Sequence, residues 1–565
     1  MGDAVRRNAI SGADALVRML EAHEVHHIFG LCGDTTLPFY DSLYRLDHRI
    51  QHILTRDERC AAYMADGYAR VTGRVGVCEG PSGGGATYIL PGLVEANESS
   101  VPILAITSDV GTGSKGHYPL TELDQEGLMR PLTKFSTVVQ HATSIPGMVR
   151  CAFRKMTTGR PGSAHLGMPI DVQRGQTDPG DIWADPAHAT FPAYPSGPDP
   201  DALEAALDAI FSASFPLVIC GGGILSSGAV SAFRKFVETL DIAVATTISG
   251  QGSIAETHPN CLGVVGSNGG VPATRELVQA ADLVVFIGCR AGSVTTELWR
   301  TPAKGTRIVH LDSDPEVIGA SYPTEVAVVS DARLALDGIN RMLEERHQRF
   351  GGAAAVAPFK ARKWKAFRDL SISGDRPILP ERIIAALRAV LDEEAIIIAD
   401  PGTPCPYVSA FYELRRSGRN LISNRAHGAL GYALPAAIGA AFGAPDKKIV
   451  SLMGDGSFGF ACGEFETVTR KNLPITFIVF SNAVYGWIKA GQRTGFDARY
   501  FSVDFSRTDH RSVAEAFGLK AWRVEDPEKL QDVLKSAVEH PGPTLVDVIS
   551  QPLHEAAAPV SEWIA

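Results

Sequence analysis

The sequence has no apolar run long enough to cross a bilayer. Its longest, such as Ile103–Thr107 and Ile475–Phe480, have strand length. It also lacks a basic stripe: 53 Lys and Arg stand against 63 Asp and Glu, giving −10 without long blocks of one sign. A nucleic acid is therefore a poor guess for the partner. Met1–Ser11 carries charge without an apolar h-region, so no signal peptide is expected. The nine cysteines form no C-x-x-C pair and read as buried thiols in a reducing, cytoplasmic compartment. Apolar residues at 45% and charged residues at 21% exclude global disorder, collagen and coiled coil.

What is present is alternation. Val75–Glu79, Ile103–Thr107, Leu217–Cys220, Leu283–Ile287, Arg307–Leu311, Ala395–Ala399, Ile449–Met453, Ile475–Phe480 and Thr544–Val548 read as strands, with helical patterns between them. They are rich in Val and Ile and apolar on both faces, as a parallel sheet covered on both sides requires. The fold class is α/β. At roughly 100–200 residues per domain, 565 residues suggest about three domains. Pro186–Pro200 and Gly351–Pro358 read as linkers, which places three doubly wound domains near 1–185, 195–345 and 370–565. The first and third share a coarse echo that the sequence alone does not establish as a repeat.

Residues 447–482 give the strongest local signal. Strand Ile449–Met453 runs into Gly454-Asp455-Gly456-Ser457-Phe458-Gly459, a helix follows, and the next strand ends at Ser481-Asn482. One crossover between parallel strands brings both strand ends to the same sheet edge. Asp455 and Asn482, 27 residues apart, then offer a carboxylate and an amide oxygen side by side. These are hard ligands, and Mg²⁺ completes such a set with phosphate and water. GDGSFG also matches the G-x-G-x-x-G dinucleotide fingerprint. That reading wants an acid ending the second strand, where Ser481-Asn482 stands, and it places the Asp455 charge against a bare pyrophosphate. A structural turn is the third reading. No Walker lysine follows the loop.

GDG followed by Asn482 resembles the thiamine diphosphate motif, and the resemblance runs over nearly the whole chain. The order pyrimidine-binding, central Rossmann-like and diphosphate-binding domain is that of the acetolactate synthase and pyruvate decarboxylase family. The resemblance implies Asp455, Asn482 and the backbone oxygen of Val484 as Mg²⁺ ligands. Gly454, Gly456 and Ser457 would lie against the diphosphate. Asn424–Pro435 resembles the stretch before GDG, with Gly428 at the cofactor and Leu430 as the bulky residue that wedges it into a bent form. An ordinary core leucine is the alternative.

Thr55-Arg56-Asp57-Glu58 resembles the family's glutamate helix, with Asp57 where a His is usual. Glu58 would then protonate the aminopyrimidine, so that the resulting imine forms the ylid. That task needs a carboxyl with a raised pKa in an apolar site. Thr55-x-x-Glu58 is also a capping box, in which Glu58 would only bond the N-cap amide.

Pro81–Tyr88 resembles the loop beside the cofactor, placing Gly84 and Gly85 there, with Gly84 where Pro is usual and Tyr88 where Asn is common. Gln125 resembles the glutamine of the F-Q-E segment, without its Phe. Asp34 resembles the aspartate that faces the reacting carbon in pyruvate decarboxylases; a helix N-cap is its alternative. His117 could be a second relay or a surface residue. In the central domain Gly221-Gly222-Gly223, Arg290 and Asp312 resemble a region that holds FAD, ADP or part of CoA in some members and nothing in others.

The implied chemistry is addition to a 2-oxo acid, loss of CO₂, and an enamine that is protonated or ligated. Acetolactate synthases carry a Trp near the position of Gly491; here Trp487 lies four residues earlier, which departs from their pattern. The stretch 459–474 is also similar to 2-hydroxyacyl-CoA lyases and oxalyl-CoA decarboxylases. A nucleotide-binding oxidoreductase or a catalytically silent regulator is the remaining class. The tail 557–565 could close over the site with Trp563 as a plug. The family plan, with one cofactor held by two chains, implies a homodimer or homotetramer. Acid extraction of protein purified with Mg²⁺ and thiamine diphosphate is expected to release that cofactor at about one per chain by mass spectrometry. Recovery of NAD(P) instead would return GDGSFG to the dinucleotide reading.

Overall fold

A computed structural model describes residues 9–563. The reading of the first eight residues as charged and leader-free, and the tip of the tail at 564–565, lie outside the described residues. Three six-stranded sheets, each wholly parallel, form the framework. The first holds β1 (His27–Gly30), β2 (Gln51–Leu54), β3 (Gly76–Gly80), β4 (Ile103–Asp109), β5 (Phe135–Val138) and β6 (Ala164–Pro169), in the order β2-β1-β3-β4-β6-β5. The central sheet holds β7 (Pro216–Cys220), β8 (Ala243–Thr246), β9 (Cys261–Val264), β10 (Leu283–Ile287), β11 (Arg307–Asp312) and β12 (Val326–Val329), in the order β9-β8-β7-β10-β11-β12. The third holds β13 (Ile396–Ala399), β14 (Leu421–Ser423), β15 (Ile449–Gly454), β16 (Thr476–Ser481), β17 (Lys520–Val524) and β18 (Thr544–Ile549), in the order β14-β13-β15-β16-β18-β17. The first and third sheets thus share one topology, which gives the echo in the sequence a structural form.

Every strand named from the sequence lies in one of these sheets. β4, β10 and β16 are buried along their whole length, as Val- and Ile-rich strands covered on both faces must be. In each sheet the chain leaves the first strand in one direction and returns on its other side. The crevice between those neighbours, at the carboxyl ends, is where open α/β sheets take ligands. It falls between β1 and β3, between β7 and β10, and between β13 and β15.

The helices that matter for the site are α1 (Leu37–Arg45), α2 (Glu58–Thr72), α3 (Leu90–Glu98), α4 (Gly352–Ser371), α5 (Ala433–Gly443), α6 (Asp455–Ala461), α7 (Phe465–Arg470) and α8 (Gly486–Gly495). The helical pattern expected after GDG is thus broken between α6 and α7 by a 3₁₀ turn at Cys462–Glu464. The segment 351–358, expected as a linker, is corrected: it is the start of α4. Its run Ala353-Ala354-Ala355 favours helix, Gly352 N–H bonds the Asp241 carbonyl at 2.6 Å, and Val356 is buried. Pro358 sits inside this helix. Among the described cysteines, Cys32 is exposed and Cys151 and Cys462 are half-buried, against the expectation that all are buried; the other six are buried. No helix of the described residues is long and apolar enough to cross a membrane.

The chain divides into two compact units: 1–194 with 426–446 and 461–473, and 195–425 with 447–460 and 474–565. In the first unit α5 packs on α2 through small residues. A Cβ at Gly67 would lie 2.3 Å from the Ala436 carbonyl oxygen, and one at Gly439 would lie 1.9 Å from the Met64 carbonyl oxygen. Two backbones this close admit no side chain between them. Gly439→Val is expected to lower stability by about 3 kcal/mol, read as a drop in the thermal unfolding midpoint; an unchanged midpoint would show that the helices can separate without cost.

Candidate active site

In the second unit β15 and β16 pair in parallel with Gly454 opposite Phe480, so Asp455 and Asn482 emerge at one edge. The Asp455 carboxylate ties the two strand ends together. Its Oδ2 accepts the Asn482 N–H at 2.7 Å and the Ala483 N–H at 2.5 Å, and its Oδ1 accepts the Gly456 N–H at 2.9 Å. Ala483 adopts φ 58°, a left-handed conformation that costs a non-glycine residue about 1–2 kcal/mol. Burial pushes the Asp455 carboxyl up, while the Ala483 and Asn482 N–H groups and His510 pull it down. The Asn482 amide nitrogen is buried without a hydrogen-bond partner.

Asp455, Asn482, Ala483 and Val484 line a cavity of about 190 Å³, together with Lys489 and Arg507. No group of three or more His, Cys, Asp or Glu side chains suited to a metal occurs among the described residues. A cation here would rest on one carboxylate, one amide oxygen and backbone carbonyls. That hard oxygen set fits Mg²⁺, which keeps water and phosphate in the rest of its shell. A carboxylate has about four lone-pair sites, so three N–H bonds leave Asp455 able to bind a metal. Gly456 is required by close approach, since a Cβ there would lie 2.7 Å from the Tyr485 ring. Gly454 has open space beside it and Ser457 is buried.

In the first unit Glu58 is the first residue of α2 and is 6% exposed. The helix N-cap is Asp57, whose carboxylate accepts the Arg59 N–H at 2.8 Å. Thr55 lies too far upstream to cap, and its hydroxyl is buried without a partner. This corrects the capping-box alternative and leaves the Glu58 carboxyl for other work. Burial raises its pKa above the usual carboxylate range, its own backbone N–H lowers it, and the charges of Asp57 and Glu79 raise it again.

Two carboxylates, one beside Glu58 and one against α2 further along, hold backbone that carries candidate site residues, and neither is singled out by the sequence. Glu464 accepts the Arg56 N–H at 2.8 Å and the Asp57 N–H at 3.1 Å, just before Glu58, and burial pushes its own pKa up to about 7. Glu95, on α3, accepts the His427 N–H at 2.8 Å and so anchors the segment that carries Gly428 and Leu430. Leu430 is half-buried, and Gly428 has φ 73°.

The loop 81–85 lies at the β1–β3 crevice. A Cβ at Gly85 would sit 2.5 Å from Pro81 Cδ and 3.1 Å from Glu58 Oε1, so this glycine makes room for the glutamate. Gly84 has no such neighbour. Ser82 bonds the Thr35 hydroxyl at 3.0 Å and the Thr121 hydroxyl at 2.7 Å, joining the three loops that carry Asp34, Gly84 and His117. Asp34 is exposed and accepts the Thr35 N–H at 2.9 Å; the cap of its 3₁₀ turn is Gly33, so the N-cap alternative is corrected. His117 is exposed. Gln125 is buried against the end of β4: the Thr107 hydroxyl donates to its oxygen, and its Nε2 bonds the Ser108 carbonyl at 2.7 Å.

In the second unit the tail is laid down against other residues of that unit. Trp563 meets Trp487 edge-on with ring centroids 5.1 Å apart, and the Trp487 indole N–H bonds the Trp563 carbonyl at 3.1 Å. Gly491 faces Trp563, with a Cβ position 3.6 Å from its carbonyl oxygen.

Comparison with known proteins bears on both sites. Residues 10–128 match the family model of the thiamine pyrophosphate enzyme N-terminal TPP binding domain, 203–339 that of the central domain, and 400–548 that of the C-terminal TPP binding domain. The chain is 34% identical to a probable acetolactate synthase large subunit of Methanococcus aeolicus, over 96% of this chain and 92% of that one. It is 33% identical to the acetolactate synthase large subunit of Parasynechococcus marenigrum, over 97% and 88%. It is 32% identical to that of Corynebacterium glutamicum, again over 97% and 88%. With this spread of similarity, the dinucleotide reading of GDGSFG falls away, and the chain belongs to the thiamine pyrophosphate enzymes, in the family of the acetolactate synthase large subunits.

Proposed function

We propose that this protein is a thiamine diphosphate- and Mg²⁺-dependent decarboxylase and carboligase of 2-oxo acids, acting as a homodimer or homotetramer in the cytoplasm. We place its domain limits near 1–185, 195–345 and 370–565. The observation that carries the reading is the Asp455 carboxylate bound to the backbone of Asn482 and Ala483 at adjacent strand ends. When bound, thiamine diphosphate supplies a nucleophilic carbon and an electron sink.

The residues divide the remaining work. Asp455, Asn482 and the Val484 carbonyl hold Mg²⁺, and Gly454, Gly456 and Ser457 let the diphosphate approach the backbone. Leu430 and Gly428 shape the seat of the cofactor's middle, and Gly84 and Gly85 flank its pyrimidine. Glu58 holds the proton that the aminopyrimidine nitrogen needs. Its burial suits this, because a carboxyl in an apolar place holds its proton to higher pH than an exposed one. Asp34 and His117, both exposed, serve proton traffic with the substrate, and Gln125 supports the strand end from beneath.

Glu58→Gln keeps the size of the side chain and removes the titrating proton. It is expected to lower kcat by roughly 10²–10⁴-fold with the unfolding midpoint unchanged; turnover near the parent's would remove Glu58 from the mechanism. Asp455→Asn is expected to weaken binding of thiamine diphosphate with Mg²⁺ by about 10–100-fold, the cost of one charge-assisted contact. Titration calorimetry reads this directly, and equal affinity in the variant would move the metal elsewhere. The protonated form of Glu58 is the working one, so kcat/KM is expected to fall as pH rises through its raised pKa. A Glu58→Gln profile that keeps this limb would assign it to another group.

A further inference from the structure

One buried histidine has no task in the chemistry above. His165 is the second residue of β6, a strand buried along its whole length, and is itself fully buried. Both ring nitrogens have partners. Nδ1 lies 3.0 Å from the Ser136 hydroxyl on β5, and Nε2 lies 2.7 Å from the Thr107 hydroxyl on β4. The Thr107 hydroxyl donates to Oε1 of Gln125, and Nε2 of Gln125 donates to the Ser108 carbonyl at 2.7 Å. Four side chains thus form one line that ends on the backbone of β4. An apolar side chain at 165 would fill the strand without the cost of burying an imidazole.

The protons in this line are fixed from its far end. A carbonyl only accepts, so the Gln125 nitrogen is the atom on Ser108, and the Gln125 oxygen faces Thr107. A hydroxyl has one proton, and Thr107 gives it to that oxygen. Toward His165 the Thr107 oxygen only accepts, so Nε2 carries the ring proton. Nδ1 is then bare and accepts from Ser136. Burial holds the ring's pKa down to about 3, so it stays neutral and keeps this tautomer.

The line reaches the assigned site at the end of β4. Thr107 stands in register with Gly80 on β3, whose Cβ position lies 3.3 Å from Glu58 Cγ. Thr107 therefore leaves the sheet on the face where Glu58 lies. The Ser108 hydroxyl meets the Thr35 hydroxyl at 2.6 Å, and the Thr35 N–H bonds Asp34 Oδ1 at 2.9 Å. We infer that His165 is a positioning residue: by donating to Thr107 it holds the Gln125 amide in one orientation, and with it the end of β4 to which the Asp34 loop is bonded. The inference rests on the assignment of Asp34 and Gln125 made above.

The test reads the ring before it reads turnover. In the full chain with ring-¹⁵N histidine, the nuclear magnetic resonance signal that His165→Gln removes is expected to show Nε2–H and a bare Nδ1, unchanged from pH 5 to 8. An Nδ1–H tautomer, or a titration in that range, overturns the inference. Thr107→Val takes away the acceptor and should bring in the second tautomer. Decarboxylation of pyruvate, the probe 2-oxo acid, with Mg²⁺ and thiamine diphosphate reads the consequence. His165→Leu should lower kcat about tenfold, the loss of one hydrogen bond, with KM little changed. His165→Gln, whose amide donates in place of Nε2, should recover most of that loss. Thr107→Val should match His165→Leu, and the double variant should lose no more than either, because both break one link. Losses that add, or a His165→Gln as slow as His165→Leu, overturn the inference. If His165→Leu does not fold, Thr107→Val decides: a ring signal and a kcat both unmoved there overturn it. A parent that neither binds thiamine diphosphate nor releases CO₂ overturns the reading of the site instead, whichever tautomer the ring shows.

Discussion

Two helices without side chains between them govern the first unit. Where Gly67 meets the Ala436 carbonyl and Gly439 meets the Met64 carbonyl, α2 and α5 touch backbone to backbone. Packed interiors yield little, so α2 cannot turn or slide without α5. The polar groups sealed by this contact are joined in one network. Tyr432 donates to Asp66, Arg70 spans Asp66 and Glu95, and Glu95 takes the His427 N–H. A buried network of this kind is costly if half made and rigid if complete. The start of α2 carries Glu58, and the residues before α5 carry Gly428 and Leu430. One interlock therefore fixes both the acid and the segment assigned to the cofactor's seat.

The second unit solves a different problem, that of fixing two strand ends against each other at a sheet edge. Parallel pairing brings the ends of β15 and β16 together, but only to the precision of a sheet. Asp455 refines this by taking three backbone N–H groups, at the cost of a buried carboxylate and a left-handed Ala483. Strain and a buried carboxylate at one strand end are costs that packing alone does not demand. The same strand order recurs in the first sheet, where the crevice between β1 and β3 carries Ser82, Gly85 and the Asp34 loop. One topology thus recurs in two sheets, with different side chains at their strand ends.

The sequence made the most Val- and Ile-rich strands legible and left others obscure, among them the interior β1, β6 and β8. In the third sheet β13, β15, β16 and β18 announce themselves by Val and Ile, whereas the missed strands, β14 and β17, are its two edges. β14 is only three residues long, Leu421–Ser423, and β17 is half exposed and polar, as Lys520-Ala521-Trp522-Arg523. The GDG and Asn482 spacing was readable because one crossover fixes it locally. Glu464 and Glu95 were not, because their partners lie about 400 and 330 residues away in the chain. The Thr55–Glu58 spacing matched a capping box by residue type alone; where the helix starts decided against it. Glu79 was read only as the end of an apolar strand, although a carboxylate in such a run is itself a signal.

The acids around α2 also bear on the stability of the whole. Burial raises Glu58 and Glu79 and lifts Glu464 to about 7, against an ordinary glutamate near 4.5. For such groups the folded chain binds more protons than the unfolded one between the two values. Each therefore costs stability as pH rises from about 4.5 toward its folded value, the opposite of a salt-bridged carboxylate. Asp171, which partial burial raises but its hydrogen bonds from Thr112 lower further, acts in that opposite sense, and its stabilisation is lost as pH falls through the carboxylate range. The fold must carry the first group on the packing of α2, α5 and β3, which is where its interior is closest. A carboxyl whose proton is held to higher pH is by the same token one that the folded state would sooner not ionise. The tight interlock of α2 and α5 and the raised acids beside it are two sides of one requirement.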